Sequence, residues 1–144
     1  MQNVEFRDDF PDDILKLVGQ ITISFGQLEY LLKLTIKRLL RKPFHEGMGI
    51  ADSIWPIRNL LREAENLFAI RVMDQDAETE FRKLLDRVEA LNEPRHRIIH
   101  AVWAMPPSGA LLRVRKGKNY GVKKGELQSL RLEIRGVVRD LERF

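Results

Sequence analysis

Apolar residues return every three or four positions through most of the first hundred residues, and that rhythm admits little besides packed helices. Ile14, Val18, Ile21, Phe25, Leu28, Leu32, Ile36 and Leu39 fall on one stripe. At about 100° per residue such a stripe faces one way, so it must be buried against another element. The spacing predicts a first helix over 11–41. Pro11 suits its first turn, with Asp12 and Asp13 favourable against the helix dipole. Lys37, Arg38, Arg41 and Lys42 suit the other end, and Pro43 stops it.

Gly47 and Gly49 make His45 to Ser53 a connection or a short turn of helix. A second helix is expected near residues 54–72, with Ile57, Leu60, Leu61, Ala64, Leu67 and Phe68 inward and Pro56 tolerable only in its first turn. Asp74 or Asp76 can cap a third, whose stripe is Phe81, Leu84, Leu85, Val88 and Leu91. Pro94 removes a backbone donor there, yet Ile98, Ile99 and Val102 keep the period beyond it. A kink, or a fresh helix starting near Pro94, is the expected outcome. Pro106, Pro107, Ser108 and Gly109 then end the helical region. Leu112 and Val114 alternate with Arg113 and Arg115, Lys116-Gly117-Lys118-Asn119 supplies turn chemistry, and Tyr120 and Val122 alternate again. That pattern reads as a short basic β-hairpin. A last helix is expected over about 126–143, carried by Leu127, Leu130, Ile134, Val137, Val138 and Leu141. Gly136 in its middle costs about 1 kcal/mol relative to Ala, a cost that close helix packing would offset. The expected fold class is all-α: an up-and-down bundle of four to five helices with a hairpin before the last, in a single domain over residues 1–144.

The chain has 144 residues and no cysteine. At that length folding buries roughly two-thirds of the unfolded surface, enough for a core without staples. The missing thiols exclude a disulfide scaffold, Cys-containing zinc sites and a thiol nucleophile. No stretch approaches about 18 consecutive apolar residues, so no transmembrane helix is expected. The acidic start, Met1 to Asp13 broken by Pro11, has the form of neither a signal nor a transit peptide. A soluble, cytoplasmic protein is the expectation. The net charge of +4 is unevenly spread: residues 1–100 hold 15 Lys and Arg against 17 Asp and Glu, while residues 101–144 hold 10 against 4. From Ala101 to Gly125 every charge is positive: Arg113, Arg115, Lys116, Lys118, Lys123 and Lys124. Such a patch attracts phosphates or an acidic partner, unless it is simply a solvated loop.

Of the histidines, His45, His96 and His100, no two show metal spacing with a third ligand. A G-x-S-x-G elbow and a Gly-rich phosphate loop are both absent, which argues against hydrolytic nucleophiles and nucleotide-triphosphate chemistry. The informative stretch is Glu93-Pro94-Arg95-His96-Arg97-Ile98-Ile99-His100-Ala101-Val102-Trp103. Counted from Leu84, Val88 and Leu91, Arg95 falls where a core residue belongs. A buried guanidinium must be paired or face a cavity, because an unpaired buried charge is costly. Glu29, one turn from Phe25 and beside the first stripe, is a candidate partner across the bundle. His100 lies about 140° around an ideal helix from Arg95, so the two share a face only with a kink at Pro94. On the residues alone, an interhelical ion pair for Arg95 and a surface position for His100 is the simpler reading.

Arg95-His96-x-x-x-His100 also fits the R-polar-x(3–5)-H motif of HEPN domains (higher eukaryotes and prokaryotes nucleotide-binding), and the chain resembles that family over nearly its whole length. The resemblance takes in the Phe25-Gly26-Gln27-Leu28-Glu29 centre of the first helix and His100-Ala101-Val102-Trp103 closing the motif. It implies either a metal-independent endoribonuclease, of toxin or defence-effector type, or a non-catalytic module that binds nucleic acid or a protein. In active members of the family two protomers bring their motifs together at a dimer interface, and a ribose 2′-OH attacks the neighbouring phosphate. Carried over by position, His100 would be the acid–base residue, Arg95 the phosphate clamp and His96 an auxiliary polar contact, with Glu29 orienting them. Arg97 is a weaker candidate, pointing elsewhere on the helix. An imidazole with an ordinary pKa of about 6.5 moves protons at neutral pH, and a guanidinium fork holds two phosphate oxygens as charge develops. The partners implied are RNA, along Arg113, Arg115, Lys116, Lys118, Lys123 and Lys124; a second copy of the chain in a homodimer; and an antitoxin or nucleotidyltransferase-like protein. No cofactor, metal or membrane is expected.

Overall fold

The computed structural model describes residues 5–105, 109, 111–116 and 118–144. Five helices carry the fold: α1 Asp12–Leu40, α2 Phe44–Asp52, α3 Ile57–Arg71, α4 Gln75–Ile99 and α5 Lys124–Glu142. Between α4 and α5 run β1 Val102–Ala104, β2 Leu112–Arg115 and β3 Lys118–Gly121, in one antiparallel sheet of order β1-β2-β3. The expected all-α bundle is present, and the expected hairpin is β2–β3, enlarged by a third strand. Among the described residues no helix is long and apolar enough to cross a membrane.

The stripe of α1 delivers Ile14, Leu17, Ile21, Phe25, Leu28, Leu32 and Ile36 to the core. This helix touches all four others, with α5 as its main neighbour. Leu127, Leu130, Ile134, Val137, Val138 and Leu141 of α5 meet it with the same period, and α4 adds Phe81, Leu84, Leu85, Val88, Leu91 and Ile98. Phe68 of α3 stacks on Phe81 with ring centroids 4.2 Å apart. Helix ends follow the expected chemistry with small shifts. Pro11 is the N-cap of α1 rather than part of its first turn, and Arg41 closes that helix in the left-handed region at φ 55°. Asp74 caps α4, accepting from the backbone N–H of Asp76 at 3.0 Å and of Ala77 at 3.1 Å.

Several local expectations are corrected. The segment after Pro43, expected as a connection or a short turn of helix, is helical and longer than a turn, with nine residues. Gly47 serves packing there, not helix breaking: a Cβ would lie 2.5 Å from Lys37 Cγ, so glycine alone lets α2 come this close to α1. Pro94 does not restart α4, which runs unbroken from Gln75 to Ile99. Burial of Leu91 and Ile98 on either side of the proline outweighs the hydrogen bond it forfeits. The helical period does not continue to Val102, which begins β1 and is half-exposed. Nor does close packing offset Gly136, since a Cβ there would meet nothing nearer than Arg87 Nη2 at 3.7 Å. Pro106, Pro107, Ser108 and Gly117, the expected breakers and turn residue, lie outside the described residues.

The sheet is pinned to the end of α4. The Trp103 indole N–H donates to the Ile98 carbonyl at 3.2 Å, and Phe10 packs edge-on against the indole at 6.3 Å. Glu5 and Met105 exchange backbone hydrogen bonds at 2.9 and 3.2 Å. The register sets Trp103 opposite Arg113, Arg113 opposite Tyr120 and Arg115 opposite Lys118.

Candidate functional site

Arg95 occupies a stripe position between Leu91 and Ile98, and the fold accommodates it by half-burying it. Its guanidinium carbon lies 4.2 Å from the ring centroid of Phe25 on α1, a cation–π contact that replaces part of the lost hydration. Nη2 donates to Asn92 Oδ1 at 3.1 Å, one turn back on α4. Nε is buried and has no hydrogen-bond partner. A buried donor left unpaired costs on the order of 1–3 kcal/mol, so this group calls for a physical explanation. Burial pulls the Arg95 pKa below the ordinary arginine value, and the Glu29 carboxylate opposes that pull. Glu29 and Arg95 line the same cleft, as the sequence suggests, but they interact through the field between them and form no direct ion pair.

One turn further on the helix ends. His100 is the C-cap of α4 at φ −99° and ψ 9°, and its backbone N–H still reaches the His96 carbonyl at 3.0 Å. Arg95 and His100 share a cleft with no break at Pro94. The exposed rings of His96 and His100 stand 4.5 Å apart, tilted by 42°.

The cleft holds about 630 Å³. Glu29 and Lys33 of α1 form one wall, Asp52 comes from the end of α2 and Trp55 from the α2–α3 link, and Asn92, Arg95, His96 and His100 come from the end of α4. Lys33 is paired with Asp52 at 3.0 Å, and Glu93 with Arg97 at 3.3 Å. On the other side of the two histidines lies a shallower depression of about 120 Å³, lined by His96, Arg97, His100, Arg113 and Arg115. The imidazoles thus form a ridge between a cleft and a cationic shelf. Arg97, expected to point elsewhere, reaches that shelf.

The basic residues do not form one patch. Arg113, its guanidinium carbon 5.3 Å from the Tyr120 ring centroid, and Arg115 are the two that reach the histidines. Arg115 also faces Lys118 across the β2–β3 ladder, a like-charge pair of the unfavourable kind. Lys116 and Lys118 stand exposed at the hairpin turn. Lys123 is the N-cap of α5, while Lys124 is bonded to Asp13 at 2.7 Å; neither lines the cleft or the shelf.

Sequence reasoning missed Lys33, Asp52, Trp55 and Asn92. Asn92 carried a signal, since it lies three residues before Arg95 and therefore one turn away on the same helix. Trp55 carried one too, as a large aromatic next to proline with no apolar stripe to join. Among the described residues no cluster of three or more metal-ligating side chains is gathered. The chain matches no protein-family model, no curated protein and no solved structure.

Proposed function

We infer that this protein is a metal-independent endoribonuclease of the HEPN type, a cytoplasmic toxin or defence effector that cleaves RNA at a site completed across a C2 homodimer. The observation that carries the reading is the half-buried Arg95, which lines one cleft with His96 and His100. An arginine held by an aromatic face and one side-chain amide has N–H groups left over for phosphate oxygens. In this reading His100 takes the 2′-hydroxyl proton and the 2′-oxygen bonds to phosphorus. The imidazolium so formed returns the proton to the 5′-oxygen as the P–O5′ bond breaks, and a 2′,3′-cyclic phosphate remains. Arg95 holds the non-bridging oxygens as their charge grows. His96, adjacent to His100, is the auxiliary polar group, and Arg113 and Arg115 attract the flanking backbone. One Arg95 and one His100 per chain make a thin site, which an isologous interface doubles. An antitoxin or nucleotidyltransferase-like protein is the expected partner for such an enzyme.

A second reading draws on the carboxylate beside Arg95. Glu29 opposes a polyanion in the cleft, which suits a non-catalytic helical module that binds a protein or nucleic acid. Incubating the purified protein with mixed RNA in EDTA, beside a His100→Ala variant, decides between the two. Cleavage leaving cyclic-phosphate ends, lost in the variant, is the expected result. A protein inert on every RNA tried would favour the binding module. Light scattering should find a dimer at micromolar concentration, and a monomer would count against the shared site.

A further inference from the structure

Trp55 is 83% exposed, the most exposed aromatic side chain among the described residues, and it stands at the edge of the cleft that holds Arg95, His96 and His100. Its backbone is held in place. The Asn59 side-chain amide donates to the Trp55 carbonyl at 3.1 Å, the Ile54 N–H returns to the Ala51 carbonyl at 3.1 Å, and Pro56 caps α3. The wall beside it is fixed as well, by the Lys33–Asp52 ion pair. The link between α2 and α3 therefore presents an indole at a defined place and gives it almost nothing to pack on. Scattered exposed apolar residues are ordinary. This one lines the same cleft as Arg95 and the two histidines.

We propose that Trp55 is the stacking platform for the nucleobase next to the phosphate held at Arg95. Single-stranded RNA then crosses the His96–His100 ridge with a base on Trp55 on one side and its next phosphates on Arg113 and Arg115 on the other. The proposal rests on the ribonuclease reading for the position of the phosphate, and it deepens that reading by naming the substrate class. Every base has a π-face, so stacking tolerates sequence. A base inside a duplex has both faces covered, so the platform selects unpaired RNA. An indole is also a common anchor for a protein partner. The cations beyond the ridge favour RNA, because Arg113 and Arg115 beside Arg97 suit a chain of repeated negative charges.

The test uses the full chain and a short single-stranded 2′-O-methyl oligonucleotide, which binds but has no free 2′-hydroxyl to attack phosphorus. Tryptophan emission should be quenched as the oligonucleotide is added. Trp55→Ala should weaken binding roughly tenfold or more with an unchanged salt slope, since stacking releases no counterions. Trp55→Phe should recover most of the affinity. An oligonucleotide with abasic positions should bind wild-type protein as weakly as the intact one binds Trp55→Ala, and a duplex should bind weakly too. The platform is overturned by wild-type affinity in a folded Trp55→Ala protein, by abasic and intact oligonucleotides binding wild-type protein alike, or by no binding at all. The abasic arm reads the same contact without any variant, so it stands even if Trp55→Ala misfolds. If the Trp55 dependence holds while unmodified RNA is never cleaved, the platform stands and the ribonuclease reading falls.

Discussion

From Gln75 to Leu91, α4 commits its apolar stripe to the core: Phe81, Leu84, Leu85, Val88 and Leu91 are all buried, and Asp74 satisfies the first turn. From Asn92 to Ile99 the same helix keeps the period but puts Arg95 where a leucine would fit. It leaves Nε of that arginine without a partner and sets two exposed imidazoles beside it. Packing explains every buried residue of the first region. In the second it explains Ile98 and fails for Arg95, which folding alone would replace with something apolar. A turn that departs from packing in this way is where the proposed function places its site.

The largest effect should come from breaking the first region. Phe81→Ala removes a fully buried ring stacked on Phe68 and should cost about 3–5 kcal/mol in denaturant unfolding, with activity per folded molecule unchanged. The second region should respond the other way round. His100→Ala should slow RNA cleavage on the order of 10²-fold or more while leaving the unfolding midpoint in place, because His100 is exposed at the helix end. EDTA should leave the wild-type rate intact. A folded His100→Ala protein that cleaves like wild type would sink the mechanism.

Arg95 gives the sharpest contrast between the two regions. Arg95→Met should abolish cleavage and yet hold stability, or raise it by up to about 1 kcal/mol, because a half-buried charge with an unpaired donor is replaced by an apolar chain of similar length. Arg95→Lys should rescue activity poorly, since an ammonium lacks the bidentate fork. If Arg95→Met loses about 2 kcal/mol or more, the residue is structural and the contrast between the two regions collapses.

The sequence pattern locates the first region better than the second for a physical reason. Burial periodicity is a local signal, and it reveals α1, α3, α4 and α5 along with most of their core residues. It also exposes Arg95, because a charge on a stripe is visible without any structure. The cleft opposite Arg95 is a long-range fact. Asp52 and Trp55 reach it only because α2 packs on α1, and α2 itself is hidden by Gly47, whose reading as a breaker ignores the close approach to Lys37. The third strand is hidden for a related reason. Val102 keeps the helical period in the sequence, but the chain leaves the helix at His100, and Val102 pairs with Val114 of β2, well beyond it along the chain.

A smaller effect should divide the basic residues. Arg115→Gln with Lys118→Gln removes the like-charge pair across the β2–β3 ladder, one member of which lines the shelf. It should weaken RNA binding several-fold and reduce the salt slope by about 2, roughly one for each phosphate no longer neutralised. Lys124→Gln should barely change the slope, since that ammonium is occupied by Asp13. Equal slopes for all these variants would mean the charges act only through their sum.

The smallest change expected, and the only plain gain, lies where α5 faces the first region of α4. A Cβ at Gly136 would meet Arg87 Nη2 at 3.7 Å and Arg139 Nη2 at 4.0 Å, both ordinary contacts with flexible side chains. Gly136→Ala should therefore recover the helix penalty, about 0.5–1 kcal/mol, and leave cleavage unchanged. The condition is that Arg87 keeps its hydrogen bond to Asp140 at 2.7 Å. That bond holds the Asp140 carboxyl below the ordinary carboxylate range. A carboxyl depressed in this way adds stability above its unfolded pKa, and the contribution disappears as pH falls through its folded pKa. If the new methyl displaced Arg87, Gly136→Ala would lose less stability on acidification than wild type. Parallel unfolding curves at neutral pH and below the carboxylate range read both effects at once. A constant gain at both pH values is the expected result. A gain only in acid would mean the interface is tighter than a 3.7 Å contact implies.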